Sequence, residues 1–349
     1  MSGVFLTGAS GLVGGLLLRR LAKECPQRPV FALVHNRQAV SAHANVHLIP
    51  GDITETGLGM PAEVYRQLCR GIGTVVHCAA STRFALPLHE SRRINVEGTA
   101  NIMALARRAP HLRSFLHISS TFIAGRKRGE LRETPLRESA GWFTSYEQSK
   151  FEAEQLILEQ GSDLPWAIAR LSTLVGHSQT GHIAQFNYFH QLLRLIPRNP
   201  FPVIPGTPGA PVDVVADDWV SESLLKIVQK PPAAGSVLHL CAGPAQSMPA
   251  HEVLELAFRL HRRDRPGSRA TLPSFVSLSE FETFIADART RGSEKLWRMA
   301  ELLLLCLPHL EVHQNFLNTG TTALLAQSGI TPVRTREFLP RVIASCWQA

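Results

Sequence analysis

The sequence lacks the features of a membrane-spanning or secreted protein. No segment reaches the roughly 18 uncharged apolar residues that a membrane-spanning helix needs. The opening residues are apolar but have neither a basic stretch nor a small-residue cleavage site, as a secretory signal would. The six cysteines form no Cys-x-x-Cys pair, which favours reduced thiols over a disulfide framework or a zinc site. We therefore expect a cytoplasmic protein.

Internal repeats, low-complexity tracts and nucleic-acid-binding modules are also missing, so nucleic acid is not an expected partner. The formal net charge is nevertheless +8, with arginines gathered at residues 259–269 and 126–132. These clusters are either solvated faces or a dock for a phosphate-bearing or acidic acyl carrier. With 44% hydrophobic and 18% charged residues over 349 positions, the composition predicts a globular protein of two lobes.

A glycine-spaced turn near the start carries the first functional signal. Apolar, strand-forming residues lead into the segment Thr7-Gly8-Ala9-Ser10-Gly11-Leu12-Val13-Gly14, and leucines at helical spacing follow it. In a strand–turn–helix unit, Gly8 supplies the sharp turn, Gly11 lets the backbone approach a pyrophosphate, and Gly14 lets the helix pack on the strand. Glycines also end strands for purely structural reasons, so the turn alone does not identify a cofactor site.

The second predicted strand, Val30 to Val34, bears on the choice of cofactor. A carboxylate near its end would accept the ribose 2′-OH of NAD, whereas an arginine accommodates the 2′-phosphate of NADP. No Asp or Glu occurs between Val30 and Ile49, and Arg37 is available with His35 beside it. We therefore predict NADP(H), although a surface arginine after a strand is common.

Two further strand ends supply candidate cofactor contacts. Asp52, followed by Ile53, either bonds the adenine amino group or caps the following turn. Small residues at Ala79 and Ala80 end the fourth predicted strand and would let a ribose lie against the backbone. His43 and His47 are four residues apart without a third ligand nearby, so we expect no metal site.

The candidate catalytic residues follow in chain order. Asn95 lies in a predicted helix with an interior glycine, and it is either a site residue or a core polar residue bonded to backbone. Ser119, Ser120 and Thr121 end the fifth predicted strand, where open parallel sheets bind their ligands. Tyr146 and Lys150 lie on one helical face, so we expect the ammonium to lower the pKa of the phenol.

In this order, the motifs resemble those of the extended short-chain dehydrogenase/reductase family over most of the first 245 residues. The resemblance implies an α/β fold with a Rossmann-type doubly wound parallel sheet and a smaller, mostly helical C-terminal lobe. Residues 1–175, with returning segments at about 211–245, would form the NADP-binding domain. Residues 176–210 and 246–349 would form the substrate-binding lobe.

Together, the motifs and the resemblance assign the site. The predicted catalytic residues are Asn95, Ser120, Tyr146 and Lys150. The predicted cofactor-binding residues are Thr7, Gly8, Ser10, Gly11, Leu12, Val13, Gly14, His35, Arg37, Asp52, Ile53, Ala79, Ala80, Tyr146 and Lys150. The chain departs from many relatives at Leu171, where they have proline, and at Ser120, where a threonine is common; the serine keeps the hydroxyl.

Three segments, 116–122, 176–181 and 329–332, look most similar to the acyl-thioester reductase and fatty acyl-CoA reductase branch. This implies NADPH-dependent reduction of an acyl-CoA or acyl carrier protein thioester to aldehyde or alcohol. We expect an apolar channel walled by Phe186, Phe189 and Leu193 to hold the acyl chain. The alternative is a ketone or hydroxysteroid-type dehydrogenase, or a nucleotide-sugar epimerase. An intact Ser-Tyr-Lys set argues against a non-catalytic cofactor sensor. The acyl group and the oligomeric state stay open.

Overall fold

The computed structural model describes residues 2–35, 43–195, 202–290 and 294–348. Its strands are β1 Gly3–Thr7, β2 Val30–Val34, β3 Val46–Pro50, β4 Ile72–His77, β5 Ser114–Ser120, β6 Gly129–Leu131, β7 Trp166–Leu171, β8 Thr173–Leu174, β9 Val203–Pro205, β10 Pro211–Val212, β11 Val214–Val215, β12 Ser236–Leu240, β13 Met248–Pro249, β14 Ser274–Val276 and β15 Gln314–Phe316. Its helices are α1 Leu12–Glu24, α2 Ala62–Gly71, α3 Leu88–Arg92, α4 Gly98–Arg107, α5 Ser145–Gln160, α6 Tyr188–Leu195, α7 Asp217–Gln229, α8 Ala250–Asp264, α9 Leu278–Thr290, α10 Glu294–Cys306, α11 Thr319–Ala326 and α12 Thr335–Gln348.

A seven-stranded sheet in the order β12-β7-β5-β4-β1-β2-β3 organises the fold. Every neighbouring pair in it is parallel. The chain runs outward from β1 in one direction through β2 and β3, and in the other through β4 and β5, which confirms the predicted doubly wound parallel sheet. Such a sheet opens a crevice at the carboxyl ends of β1 and β4, where the strand order reverses.

The central strands form because their residues suit burial on both faces. All five residues of β1 and all seven of β5 are buried, as in parallel strands that helices cover on both sides. Apolar residues of α1 and α7 pack together on one face, and those of α2 and α4 pack on the other. The strand ends that form the crevice are therefore held in place by a packed core.

The described parts of residues 176–210 and 246–349 contribute no strand to this sheet. Helices α6 and α8 to α10 share a separate apolar cluster that includes Phe258, Phe281 and Leu303. Within the described ranges, no helix has the length and apolarity required to cross a membrane.

Candidate active site

The glycine turn after β1 is closed by its own backbone. Gly8 has a φ of 72°, and a Cβ there would lie 2.7 Å from the backbone nitrogen of Ala79. The Gly11 N–H donates to the Gly8 carbonyl at 3.0 Å, and a Cβ on Gly14 would overlap that same oxygen. Gly8 therefore has a conformational reason to be glycine, and Gly14 a steric one.

The N-terminus of α1 is open to an anion. No side chain caps it, and its first turn contains no acidic residue. The free N–H groups and the positive end of the helix dipole attract negative charge at such a position. Leu12 and Val13 line the adjoining cleft, whereas Ser10 is exposed at the tip of the turn. The residues present thus fit the phosphates of a dinucleotide.

A buried cluster joins the ends of β1 and β4, and we call it the β1–β4 cluster: Thr7, His77, Thr99 and Asn95. Thr99 donates its only hydroxyl proton to the Asn95 carbonyl oxygen at 2.6 Å, so Nε2 of His77 must donate to Thr99, 3.2 Å away. Nδ1 of His77 then accepts the Thr7 hydroxyl at 2.8 Å. Burial lowers the pKa of His77 to about 3, so the ring is neutral.

Asn95 lies in a π-helical turn, Arg93–Glu97, between α3 and α4. Its amide oxygen accepts the Ser81 N–H at 2.8 Å, and its amide nitrogen donates to the Ser81 carbonyl and the Ser149 hydroxyl. The side chain therefore ties the loop after β4 to α5. These bonds are those of the alternative interpretation, a core polar residue bonded to backbone, and the catalytic role of Asn95 stays a prediction.

Ser120, Tyr146 and Lys150 lie together at the carboxyl end of β5, and we call them with His117 and Ser119 the β5–α5 cluster. Ser120 ends β5, caps the following 3₁₀ turn and hydrogen-bonds Tyr146. The Lys150 ammonium donates to the Ile118 carbonyl at 2.8 Å and to Nε2 of His117 at 3.1 Å. Three predicted catalytic side chains are thus adjacent.

The expected lowering of the Tyr146 pKa by Lys150 is wrong for this arrangement. Burial raises the pKa of Tyr146, the bond with Ser120 opposes that rise, and the nearby Glu147 adds to it. The Lys150 ammonium is directed to β5 instead. Burial lowers the pKa of Lys150 to about 8, although Glu154 and Cys78 favour its charged form.

Two buried polar atoms in the β5–α5 cluster have no hydrogen-bond partner among the described residues. They are the Ser119 hydroxyl and Nδ1 of His117. Because Nε2 of His117 accepts a hydrogen bond from the Lys150 ammonium, Nδ1 carries the ring proton. An unpaired buried polar atom is costly, which favours a ligand at this point. Ser119 lines the cleft and can reach one.

One cleft of about 890 Å³ contains both halves of the candidate site. Its wall includes Gly8, Gly11, Leu12, Val13, Gly14 and Ala80 on the cofactor side, and Ser119, Ser120, Tyr146 and Lys150 on the other. This volume is within the usual range of about 300–1,000 Å³ for small-molecule sites. A ligand on the glycine turn therefore shares one space with the tyrosine and the lysine.

His35, Asp52, Ile53 and Ala79, also predicted to bind the cofactor, are not among the residues that line this cleft. Oδ1 of Asp52 accepts the N–H and hydroxyl of Thr54, so Asp52 caps its turn, and Oδ2 lies 3.3 Å from Nδ1 of His35. Ile53 packs against α4, where a Cβ on Gly98 would lie 2.8 Å from Ile53 Cδ1. That contact explains the interior glycine. Ala79 donates its N–H to the buried Thr7 hydroxyl. Arg37 lies outside the described residues.

Several residues of the site were not identified from the sequence. Glu147, buried beside Tyr146, accepts hydrogen bonds from Thr144 at 2.9 Å and from Nε2 of His309 at 3.0 Å. The Thr144/Glu147 spacing is a capping box, which the sequence could have revealed. His309 lies 162 positions away, and no local pattern connects it to Tyr146. The Phe84 ring contacts the rings of both Tyr146 and Tyr188, so the three form one aromatic cluster.

Comparisons with known proteins agree with this architecture. A family model described as Male sterility protein matches residues 6–224. The glycine betaine reductase ATRR of Emericella nidulans is 22% identical over 267 residues, covering 68% of this chain and 21% of that protein. Fatty acyl-CoA reductase 1 of Gallus gallus is 26% identical over 224 residues, covering 50% of this chain and 43% of that protein. The chain spans less than half the length of each.

A solved structure has the same fold along the whole chain. The terminal R domain from the myxalamid PKS-NRPS biosynthetic pathway superposes with a TM-score of 0.80 at 20% sequence identity. The superposition covers 100% of this chain and 91% of that domain. At 20% identity, this likeness shows the fold alone.

Proposed function

Because the chain belongs to the Male sterility protein family, within the extended short-chain dehydrogenase/reductases, we propose that it is an NADPH-dependent reductase of acyl thioesters. The observation that carries the proposal is the shared cleft, in which the glycine turn faces Ser120, Tyr146 and Lys150. Relatives named as fatty acyl-CoA reductases support the thioester over other carbonyl substrates. The thiol belongs to coenzyme A or to a carrier protein.

The chain's own residues have separable roles in this reaction. The turn of Gly8, Gly11 and Gly14 holds the cofactor phosphates at the α1 N-terminus, and a bound nicotinamide supplies hydride. Ser120 and Tyr146 hydrogen-bond the substrate carbonyl oxygen as it gains charge, and Tyr146 donates the proton. Lys150, held by the Ile118 carbonyl and His117, binds the cofactor ribose in this proposal. Loss of the thiol leaves an aldehyde, and a second reduction gives the alcohol.

NADPH is preferred over NADH in this proposal. The support is the absence of an acidic residue between Val30 and Ile49, together with Arg37 after β2. A guanidinium can make charge-assisted hydrogen bonds to a 2′-phosphate that an unmodified ribose does not offer. His35, at the end of β2, is paired with Asp52 and is therefore a weaker candidate.

The substrate lobe in this proposal comprises residues 176–210 and 246–349. Phe186 lines the cleft, while Phe189 and Leu193 line a second cavity beside it. These side chains suit an acyl chain better than a sugar. An acidic carrier protein is the proposed partner of the arginine clusters at residues 259–269 and 126–132. The proposed location is the cytoplasm.

The deciding experiment measures NADPH oxidation with acyl-CoA thioesters, ketones and UDP-sugars, and assays free thiol and aldehyde in parallel. We expect oxidation and thiol release with thioesters alone. Lys150→Ala provides the control, because it should lower both turnover and cofactor affinity. Oxidation with ketones, or turnover of a UDP-sugar, without thiol release from any thioester would assign the protein to the alternative class.

A further inference from the structure

A second, smaller cavity adjoins the cleft. Its volume is about 150 Å³, and its wall is mainly buried and apolar, with Phe189, Leu192, Leu193, Ile204, Val253 and Leu254 among its residues. Five residues line both spaces: Phe122, Ser172, Thr173, Tyr188 and Cys306. We call this space the inner cavity. Because the two spaces share these wall residues, the inner cavity lies directly beside the candidate reaction site.

Asp213, Gln314 and His309, three polar side chains on the inner cavity wall, already have partners. Asp213 accepts the N–H groups of Ala242 and Gly243 at 2.8 and 3.0 Å. The amide of Gln314 donates to the carbonyls of Gly125 and Lys127. His309 is bonded to Glu147. Because these groups are satisfied, the cavity offers mainly apolar surface and selects an apolar occupant.

Tyr188 stands at the boundary between the two spaces. Its hydroxyl is 2.6 Å from Oγ1 of Thr173, which holds the ring in place. Its ring centroid is 5.3 Å from that of Phe84, and the Phe84 centroid is 5.6 Å from that of Tyr146. A single aromatic ring therefore separates Tyr188 from the proposed proton donor.

We propose that the inner cavity is the specificity pocket for the distal end of the substrate's acyl chain. The acyl chain passes the Tyr188 ring to enter this cavity. This inference rests on the proposed thioester function and adds a substrate class to it. The substrate carries an apolar terminus of limited size. Its thioester carbonyl lies at Ser120 and Tyr146, and its terminus lies among Leu192, Val253 and Leu254.

The cavity volume limits the size of that terminus. An apolar cavity of about 150 Å³ holds a benzene-sized group, or about six carbon atoms. Each buried methylene contributes about fourfold in affinity, which corresponds to about 0.8 kcal/mol. We therefore expect kcat/KM to rise about fourfold per methylene while the chain fills the cavity, and to stop rising once the space is full.

The test compares the chain-length dependence of kcat/KM in three proteins. Val253→Phe places a ring in the inner cavity, and Val64→Phe makes the same change at an exposed position of α2 outside both spaces. We expect Val253→Phe to lower kcat/KM for long thioesters relative to short ones at least tenfold. The Val64→Phe profile should match the wild type. Equal profiles in all three proteins would overturn the inference.

Tyr188→Trp provides a second route in case Val253→Phe fails to fold. A larger ring at the boundary should obstruct passage, so we expect the same selective loss for long chains. If Tyr188→Trp lowers kcat/KM for short and long thioesters by the same factor, Tyr188 is not the boundary that selects chain length.

A binding measurement separates this inference from the proposed function. Benzene should raise the thermal unfolding midpoint of the wild type and of Val64→Phe, because a ligand that binds the native state stabilises it. Benzene should raise the thermal unfolding midpoint of Val253→Phe by a smaller amount. If this pattern holds but no thioester is reduced, the proposed function fails while the apolar pocket stands. If benzene stabilises Val253→Phe as much as the wild type, the pocket assignment fails even if thioesters are reduced.

Discussion

The β1–β4 cluster and the β5–α5 cluster lie side by side but differ in how their polar atoms are used. Both ring nitrogens of His77 have partners, whereas Nδ1 of His117 and the Ser119 hydroxyl have none among the described residues. The two rings are 5.4 Å apart on adjacent strands. One cluster therefore holds the sheet together, and the other has the Ser119 hydroxyl, on the cleft wall, left for a ligand.

The difference follows from position in the sheet. His77 is enclosed between the ends of β1 and β4 and the start of α4, where Thr7 and Thr99 satisfy it. His117 is held on one side by Lys150. A closed network rigidifies a core, while unsatisfied buried groups mark the points at which binding gains the most.

The largest expected effect comes from the β5–α5 cluster. Tyr146→Phe removes the proposed proton donor while keeping the ring, so turnover should fall by about two to four orders of magnitude. Folding and NADPH binding should change little. Tyr65→Phe is the matched control, since Tyr65 is a buried tyrosine that does not line the cleft. Steady-state kinetics on the best thioester decides; residual Tyr146→Phe activity above about a tenth of wild type would exclude the role.

Lys150 should make the stability of the protein depend on pH. Its pKa is lowered to about 8 from 10.5, so between these pH values the unfolded chain binds more protons than the native protein. The penalty for the buried charge is complete below pH 8 and disappears toward pH 10.5. Relative to Lys150→Met, the wild type should gain about 3 kcal/mol of unfolding free energy across this window.

Urea unfolding of both proteins at several pH values measures this difference, and the subtraction cancels groups common to the two. Lys150→Arg serves as the control, because a guanidinium keeps its charge throughout the window. A constant difference between wild type and Lys150→Met would mean that Lys150 has an ordinary pKa in the folded protein.

Substituting each histidine by leucine tests the comparison of the clusters directly. His77→Leu removes the acceptor of the Thr7 hydroxyl hydrogen and the donor to the Thr99 oxygen, so we expect the unfolding free energy to fall by about 2–6 kcal/mol, or about 1–3 per group. His117→Leu loses one bond, to Lys150, and should reduce stability less but activity more. Denaturation and kinetics on both variants give the two rankings. The same ranking in both measurements would remove the distinction between the clusters.

The smallest expected effect concerns cofactor choice. Arg37→Ala should erase most of a preference for NADPH over NADH, by about tenfold, the usual worth of one charge-assisted hydrogen bond. Titration of both cofactors into wild type and variant measures it. Equal affinities of the wild type for the two cofactors, or tighter binding of NADH, would refute the NADP assignment. His35 would then be the next candidate for contact with the cofactor ribose.

Much of the strand and helix framework could be predicted from the sequence, because short-range residue patterns determine where these elements form. The predicted strand at Val30–Val34 occurs as β2, and the glycine turn lies between β1 and α1. The helix with Tyr146 and Lys150 occurs as α5. The assigned catalytic and cofactor roles, and the division into two lobes, stay predictions.

The errors and omissions arose where distant segments meet. Spacing on α5 suggested that Lys150 acts on the Tyr146 phenol, but β5 offers the Ile118 carbonyl and His117 to the ammonium instead. The pKa of Tyr146 depends first on burial, which helical spacing does not report. Tyr188 and His309 come near Tyr146 only through packing of the later chain.

The sequence by itself determined the glycine turn, the strand at Val30–Val34 and the helix that carries Tyr146 and Lys150, because apolar periodicity and glycine spacing act over a few residues. The doubly wound parallel sheet was predicted from the family resemblance of the motifs, and the strand pairing confirms it. Only the tertiary structure decided which polar atoms are paired, how the pKa values of Tyr146 and Lys150 shift, and where the inner cavity lies beside the cleft. These properties depend on burial and on contacts between residues far apart in the chain, such as Glu147 and His309.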